Sequence, residues 1–263
     1  MAGPALGGFA VAAVGSGMVL LLDAATYLVG AAVLVLFRLA AGPAAGAAAR
    51  EKGAVREGLR LFASRTWLWV TTLHVTLFNL LVWAPFLVLG PVVAQHSLGG
   101  ARDWGLIMGS YGAGSVVGGL LLVGGRTVRR PLVAATLAGV GYALPPAALA
   151  AAAPLPAIAA AALAAGAGSA VSQALYATTN QQHIPPEALG RVLSVASVGA
   201  FAFGPLGLAA AGPLAAAAGI ATVLGAGSVI QVVMCLGVLA VPAVRRLTPP
   251  PRTPAGEHAG NAR

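Results

Sequence analysis

Apolar residues run through this chain in blocks too long and too uniform for the one-sided pattern of a soluble helix. Residues 66–101, 104–125, 131–186 and 192–244 contain no Asp, Glu, Lys or Arg. A helix needs about 20 apolar residues to cross about 30 Å of hydrocarbon. Helices satisfy their own backbone groups there, which isolated strands cannot do. The blocks 131–186 and 192–244 are each long enough for two spans joined by a tight turn. The pattern predicts eight apolar helices, at residues 2–14, 17–38, 67–94, 104–124, 131–151, 155–177, 191–214 and 219–243. The first is too short to cross, which points to a truncated span or to a start further upstream.

Charge then orients these helices. Residues 38–65 hold Arg38, Arg50, Lys52, Arg56, Arg60 and Arg65, six of the fifteen basic residues, with Glu51 and Glu57. A charged island between apolar regions is a loop held outside the bilayer. If it is cytoplasmic and the spans alternate, fourteen basic residues fall on the cytoplasmic side and only Arg102 on the other. Lys and Arg accumulate on the cytoplasmic side of membrane proteins, so this orientation follows, with the C-terminus inside and the plasma membrane as the expected location. Within the island, Val55, Leu59 and Phe62 fall at i, i+4 and i+7. They predict an amphipathic helix lying on the membrane surface, followed by Trp67 and Trp69 as interfacial anchors. Residues 248–263 lack apolar periodicity and read as a disordered tail.

Composition agrees. Hydrophobic residues make up 59% and charged residues 8%, against roughly 25% charged in a soluble domain. The net charge of +9 is accounted for by the cytoplasmic loops, so no nucleic-acid partner is implied. Cys235 is the one cysteine, which excludes an internal disulfide. No HExxH, Walker A, GxSxG or CxxC pattern occurs. The chain therefore carries no enzyme signature, no ATP-hydrolysing motif, no metal site and no cofactor motif.

Several motifs remain. Gly105/Gly109 and Gly114/Gly118 are GxxxG pairs that let helix backbones approach in lipid. Gly3, Pro4, Gly7 and Gly8 open the first helix, and Gly204, Pro205 and Gly207 lie in the seventh. Each combines a Gly-Pro step with small residues where another helix can press in. They are six helices apart and run the same way across the membrane, as a parallel repeat of six-helix units would. Arg126, Arg129 and Arg130 form a basic turn. Glu187 and Arg191 have the i, i+4 spacing of an ion pair. An ionisable residue inside a span marks a functional candidate, and Asp23 is the one acid there. Asn79, Trp83, Tyr111, Gln173 and Tyr176 are the candidates for a cavity lining. His74 and Gln231 read first as interhelical hydrogen-bonding groups.

The order Gly3-Pro4-Ala5-Leu6-Gly7-Gly8, Leu22-Asp23-Ala24-Ala25-Thr26-Tyr27-Leu28, Arg56-Glu57-Gly58-Leu59-Arg60-Leu61-Phe62, Gln182 to Val192 and Gly204-Pro205-Leu206-Gly207 resembles a major facilitator superfamily transporter. It is similar to the drug/proton-antiporter branch that includes macrolide and siderophore exporters. The resemblance implies an all-α membrane bundle whose full length has twelve spans, of which this chain matches spans five to twelve. Residues 1–38 would be the last two helices of the N-terminal half. Residues 39–66 would be the cytoplasmic connector, 67–244 the complete C-terminal half, and 245–263 the tail. It also implies efflux of drug-like or other small amphipathic molecules, proton coupling and alternating access. Arg126, Arg129, Arg130, Glu187 and Arg191 would serve the cytoplasmic gate. The family's acid in the turn after the eighth span is replaced here by glycine. Two other readings stay open: a fragment or subunit that needs a partner chain for the missing helices, and the permease subunit of an ATP-driven exporter.

Overall fold

The computed structural model describes residues 16–41, 47–123 and 128–249. Every element among them is helical: α1 (Ser16–Ala41), α2 (Ala47–Ser64), α3 (Thr66–Phe78), a π-helical turn (Asn79–Trp83), α4 (Ala84–Ser97) and α5 (Ala101–Leu122). They continue with α6 (Pro131–Gly139), a 3-10 turn (Val140–Ala143), α7 (Leu144–Ala150), α8 (Leu155–His183), α9 (Pro186–Phe201), α10 (Gly204–Ala218), α11 (Ile220–Ala240) and α12 (Pro242–Arg245). Seven segments among the described residues are long and apolar enough to cross a membrane. This is the all-α bundle the apolar blocks predict. The expected helix at 2–14, with Gly3, Pro4, Gly7 and Gly8, lies outside the described residues, as do Arg126 and residues 250–263.

Boundaries shift for local reasons. The helix expected to stop at 177 continues as α8 to His183. Its polar end does not break it, because Thr178 and Thr179 donate to the carbonyls of Ala174 and Leu175 one turn back, as helical hydroxyls do. The seventh predicted helix begins earlier, at Pro186, where a proline fits the first turn. It breaks at Ala202–Phe203.

Six spans, from Thr66 to Ala240, alternate in direction. An apolar cluster closes each end. Trp67, Leu132, Ile184, Val192, Val238 and Val244 meet at one. Phe86, Leu89, Ile107, Leu149, Ile158 and Leu224 meet at the other. The first is the basic end: Arg65, Arg130, Arg191 and Arg245 adjoin it in sequence. Trp67 is not an interfacial anchor. It is 7% exposed, with its ring edge-on to His183 at 6.0 Å, because α2 and α12 cover that face. Trp69, 41% exposed, is the one that faces outward.

The helix α2 also differs from its sequence reading. Leu59 is 54% exposed, while Leu61 and Phe62 pack against the basic-end cluster. Gly58 lies on Arg191 of α9, where an added methyl would stand 3.3 Å from the Arg191 Cβ. The glycine diverts the contact face away from the predicted apolar stripe. By contrast, α1 exposes apolar side chains from Met18 to Leu36 on all sides, as a helix surrounded by hydrocarbon or other apolar helices does.

Close backbone contact holds α5 to α8. A Cβ on Gly114 would overlap the carbonyl of Leu163, and one on Gly118 the carbonyl of Ala167. Reciprocally, Gly166 faces the Tyr111 carbonyl. Gly105 has open space around it. Of the two GxxxG pairs, then, only Gly114/Gly118 has both members in a helix interface. Interhelical hydrogen bonds in membranes average only about 0.6 kcal/mol, so van der Waals contact between these backbones carries most of the pairing. Gly114→Ala should therefore destabilise the bundle by about 1–3 kcal/mol through overpacking. Gly105→Ala should be neutral or slightly stabilising, by up to about 1 kcal/mol. Thermal unfolding of the two variants in detergent checks the contrast.

Candidate functional site

Three spans change helix type near their midpoints, and proline chemistry explains each. Pro85 offers no N–H to the Leu81 carbonyl and crowds it, and the helix widens into the π turn at Asn79–Trp83. Pro145 and Pro146 do the same to the carbonyls of Gly141 and Tyr142, at the 3-10 turn Val140–Ala143. Pro205 leaves the Phe201 carbonyl without its helical donor at the α9–α10 break.

Carbonyls in the last turn of a helix need outside donors. Side chains from neighbouring spans supply them. Thr76 Oγ donates to Gly199 O at 2.6 Å, and Asn79 Nδ2 to Ala200 O at 3.0 Å. Gln231 Nε2 donates to Gly139 O at 2.8 Å. Gly207 lets α10 press onto the π turn, where a methyl would come within 2.5 Å of the Leu80 carbonyl. Gly204, by contrast, has no neighbour that a Cβ would meet.

A cavity of about 310 Å³ opens among these breaks. Phe78, Trp83, Tyr111, Tyr142, Tyr176 and Phe201 form its aromatic walls, and His74, Asn79, Ser172, Gln173 and Gln231 its polar positions. A second space of about 370 Å³, lined by Leu68, Asn180 and Gln181 among others, shares Val75, Gln173, Tyr176 and Phe201 with it. The two form one cleft from mid-span toward the basic end. No Asp, Glu, Lys or Arg lines either part among the described residues.

Two polar groups order the cavity walls. Ser169, fully buried, is the hub of the first. Tyr111 Oη is 2.8 Å from its Oγ, Tyr142 Oη 2.7 Å, and Gln173 Nε2 donates to it at 3.0 Å. A hydroxyl has one proton and two lone pairs, so Ser169 donates to one tyrosine and accepts from the other two neighbours. The second joins α3 to α11. Gln231 Nε2 also reaches Cys235 Sγ at 3.5 Å, and that sulfur is 3.8 Å from His74 Nε2. His74 Nδ1 and Gln231 Oε1 are buried and have no hydrogen-bond partner.

The structure thus brings Asn79, Trp83, Tyr111, Gln173 and Tyr176 together around one cavity. Asp23 is elsewhere, on an exposed stretch of α1. At the basic end, Arg191 does not pair with the Glu187 carboxylate as the spacing predicts. Its Nη1 meets Glu57 Oε2 at 2.8 Å, and its Nη2 donates to the Glu187 backbone carbonyl at 2.8 Å. The α2 contact offers a carboxylate in line with the guanidinium, so the local pair loses. Arg65 donates to the His183 carbonyl, and the His183 ring contacts the Thr248 carbonyl at 3.1 Å. Arg129 and Arg130 lie in the turn before α6 with no side-chain partner among the described residues.

Sequence reading missed Tyr142, Phe78, Phe201 and the hub role of Ser169. Tyr142 had a usable signal: it lies three residues before a Pro-Pro pair inside an apolar span, where a helix must open. Ser169→Ala removes the one hydroxyl that Tyr111, Tyr142 and Gln173 share. It should cost about 1–3 kcal/mol, read as a lower midpoint in thermal unfolding, with Ser169→Thr recovering part of the loss.

A family model described as "Transmembrane secretion effector" matches residues 1–253. No curated protein and no solved structure matches the chain. With six alternating spans around a mid-depth cavity, this match over most of the length decides the family. The chain belongs to the transmembrane secretion effector family of the major facilitator superfamily and is a membrane transporter.

Proposed function

We propose that the protein is a secondary active exporter of small amphipathic molecules, driven by a proton gradient and working by alternating access. The observation that carries this reading is the cleft between α3, α8 and α9. It is polar and aromatic at mid-span, lacks fixed charge, and leads toward the basic end of a chain from this family. A site near the bilayer midplane between helices of repeated units is where secondary transporters bind substrate. The drug/proton-antiporter branch is the favoured assignment, on the sequence resemblance. The basic end is taken as cytoplasmic by the charge asymmetry. Residues 67–244 are read as one six-helix half, with 1–38 from the other half and 39–66 connecting them. Arg191 with Glu57 ties α2 to α9 at that end, where a gate would open.

For the proton, His74 replaces Asp23 as the preferred group. Imidazole is the side chain whose ordinary titration falls between pH 5 and 8, and His74 lines the cavity. Its ring faces Cys235 on α11, and the other titratable groups around the cavity are the phenols of Tyr111, Tyr142 and Tyr176.

Everted membrane vesicles from cells producing the chain should accumulate a fluorescent amphiphilic dye when acidified inside, and a protonophore should abolish it. Uptake that needs ATP and survives the protonophore would instead point to an ATP-driven pump. A chain that moves no dye under either condition would sink the transport reading. His74→Ala should leave downhill dye exchange within about twofold of wild type while lowering gradient-driven accumulation at least about tenfold. Equal losses in both assays would mean that the ring is structural.

A further inference from the structure

His183 is the last residue of α8, and it lies apart from the residues that line the mid-span cavity. Both of its ring nitrogens face backbone carbonyls. Nδ1 stands 3.0 Å from Thr179 O, one turn back in the same helix. Nε2 stands 3.1 Å from Thr248 O, in the segment that follows α12. A carbonyl oxygen only accepts hydrogen bonds, and a neutral imidazole carries a single N–H. A neutral ring would set a nitrogen lone pair against one of the two oxygens. The imidazolium, with an N–H on each nitrogen, makes both bonds.

The surroundings bear on that charge from both sides. A cation at a helix C-terminus is favoured by the carbonyls that end the helix. Arg65, before α3, donates to the His183 carbonyl. The other charged residues on the elements around the ring are Glu187 and Arg191 in α9, and Arg245 and Arg246 at the end of α12. From α3 the ring meets Trp67, edge-on and uncharged. The ion pair at this end joins Arg191 to Glu57 and leaves the ring out. The arginines oppose a further cation, so the two carbonyls decide. The ring is half-buried and Thr248 is exposed, which gives the aqueous phase access to the contact.

We propose that His183 is a proton-binding site and that its imidazolium clasps the segment after α12 to the end of α8. Loss of the proton to water leaves one N–H for two acceptors. The Thr179 bond lies within one helical turn and is kept with the helix. The Thr248 bond joins residues 65 apart in the chain, and it is the one released. The clasp lies within a turn of Asn180 and Gln181, which line the cleft, so it closes and opens at the cleft mouth. This proton is separate from the one assigned to His74, and the inference does not depend on what the cavity carries.

Thr248 takes part through its carbonyl, so its exposed side chain is free for a probe. The test places a nitroxide at Thr248→Cys in the 263-residue chain in nanodiscs, with the buried Cys235 changed to Ser. The mobile fraction of its spectrum should rise at least about threefold from pH 5 to pH 8, the range in which imidazole ordinarily titrates. Carboxylates ordinarily titrate near about pH 4 and arginine stays charged, so this range reports on histidines. His74, His96 and His258 are the others in the chain, and His183→Gln separates them by abolishing the response. His183→Phe, which keeps a ring beside Trp67 and has no nitrogen, should do the same and serves if the first variant fails to fold. The proposal is overturned if the label is equally mobile across the range, if it becomes less mobile as pH rises, or if the response survives in either substituted chain.

Discussion

A backbone carbonyl that loses its helical donor inside hydrocarbon has no water to turn to. That constraint organises the middle of this protein. Prolines at 85, 145–146 and 205 open three spans, and at two of the openings a neighbouring span donates to helix-end carbonyls. Thr76 and Asn79 cap the end of α9, and Gln231 caps the end of α6. Asn79 and Gln231 thus serve both the helix ends and the cavity wall.

Space for the cavity depends on how unevenly the helices approach one another. Glycines bring α5 and α8 into backbone contact at Gly114, Gly118 and Gly166. Gly168 brings α8 against Ala138 of α6 in the same way. Across the cleft, α3 and α9 touch each other through Thr76 and the Gly199 carbonyl, and this pair faces α8 with Val75, Phe78 and Phe201 lining the gap. Close packing on one side and large side chains on the other leave a gap that opens toward the basic end. The two apolar clusters at the bundle ends hold the spans in register around it.

The basic end is joined by a different kind of contact. The Arg191–Glu57 pair is half-exposed, and such pairs are worth about 0–1 kcal/mol. A contact that weak can be made and released without unfolding anything, unlike the glycine contacts of α5 and α8. The same end has Arg65 on the His183 carbonyl and the His183 ring on Thr248, so the connector, α8 and the residues after α12 meet there.

The sequence alone determined the solvent, the position of most spans and the clustering of basic residues at one end. These follow from block length and charge, which need no knowledge of neighbours. It also marked Asn79, Trp83, Tyr111, Gln173 and Tyr176, because polar or amphipathic groups inside a span are rare enough to stand out. Only the tertiary structure decided what those groups do. Whether Asn79 faces a cavity or a carbonyl depends on where α9 breaks, 121 residues away in the chain. Whether Arg191 pairs with Glu187 or Glu57 depends on Gly58 letting α2 approach. Trp67 has the sequence position of an interfacial anchor and becomes core because α2 and α12 fold over it. The joint role of Tyr142 and Ser169 was likewise decided by the tertiary structure, since a single hydroxyl acquires a role only when a second span brings a partner within hydrogen-bond reach.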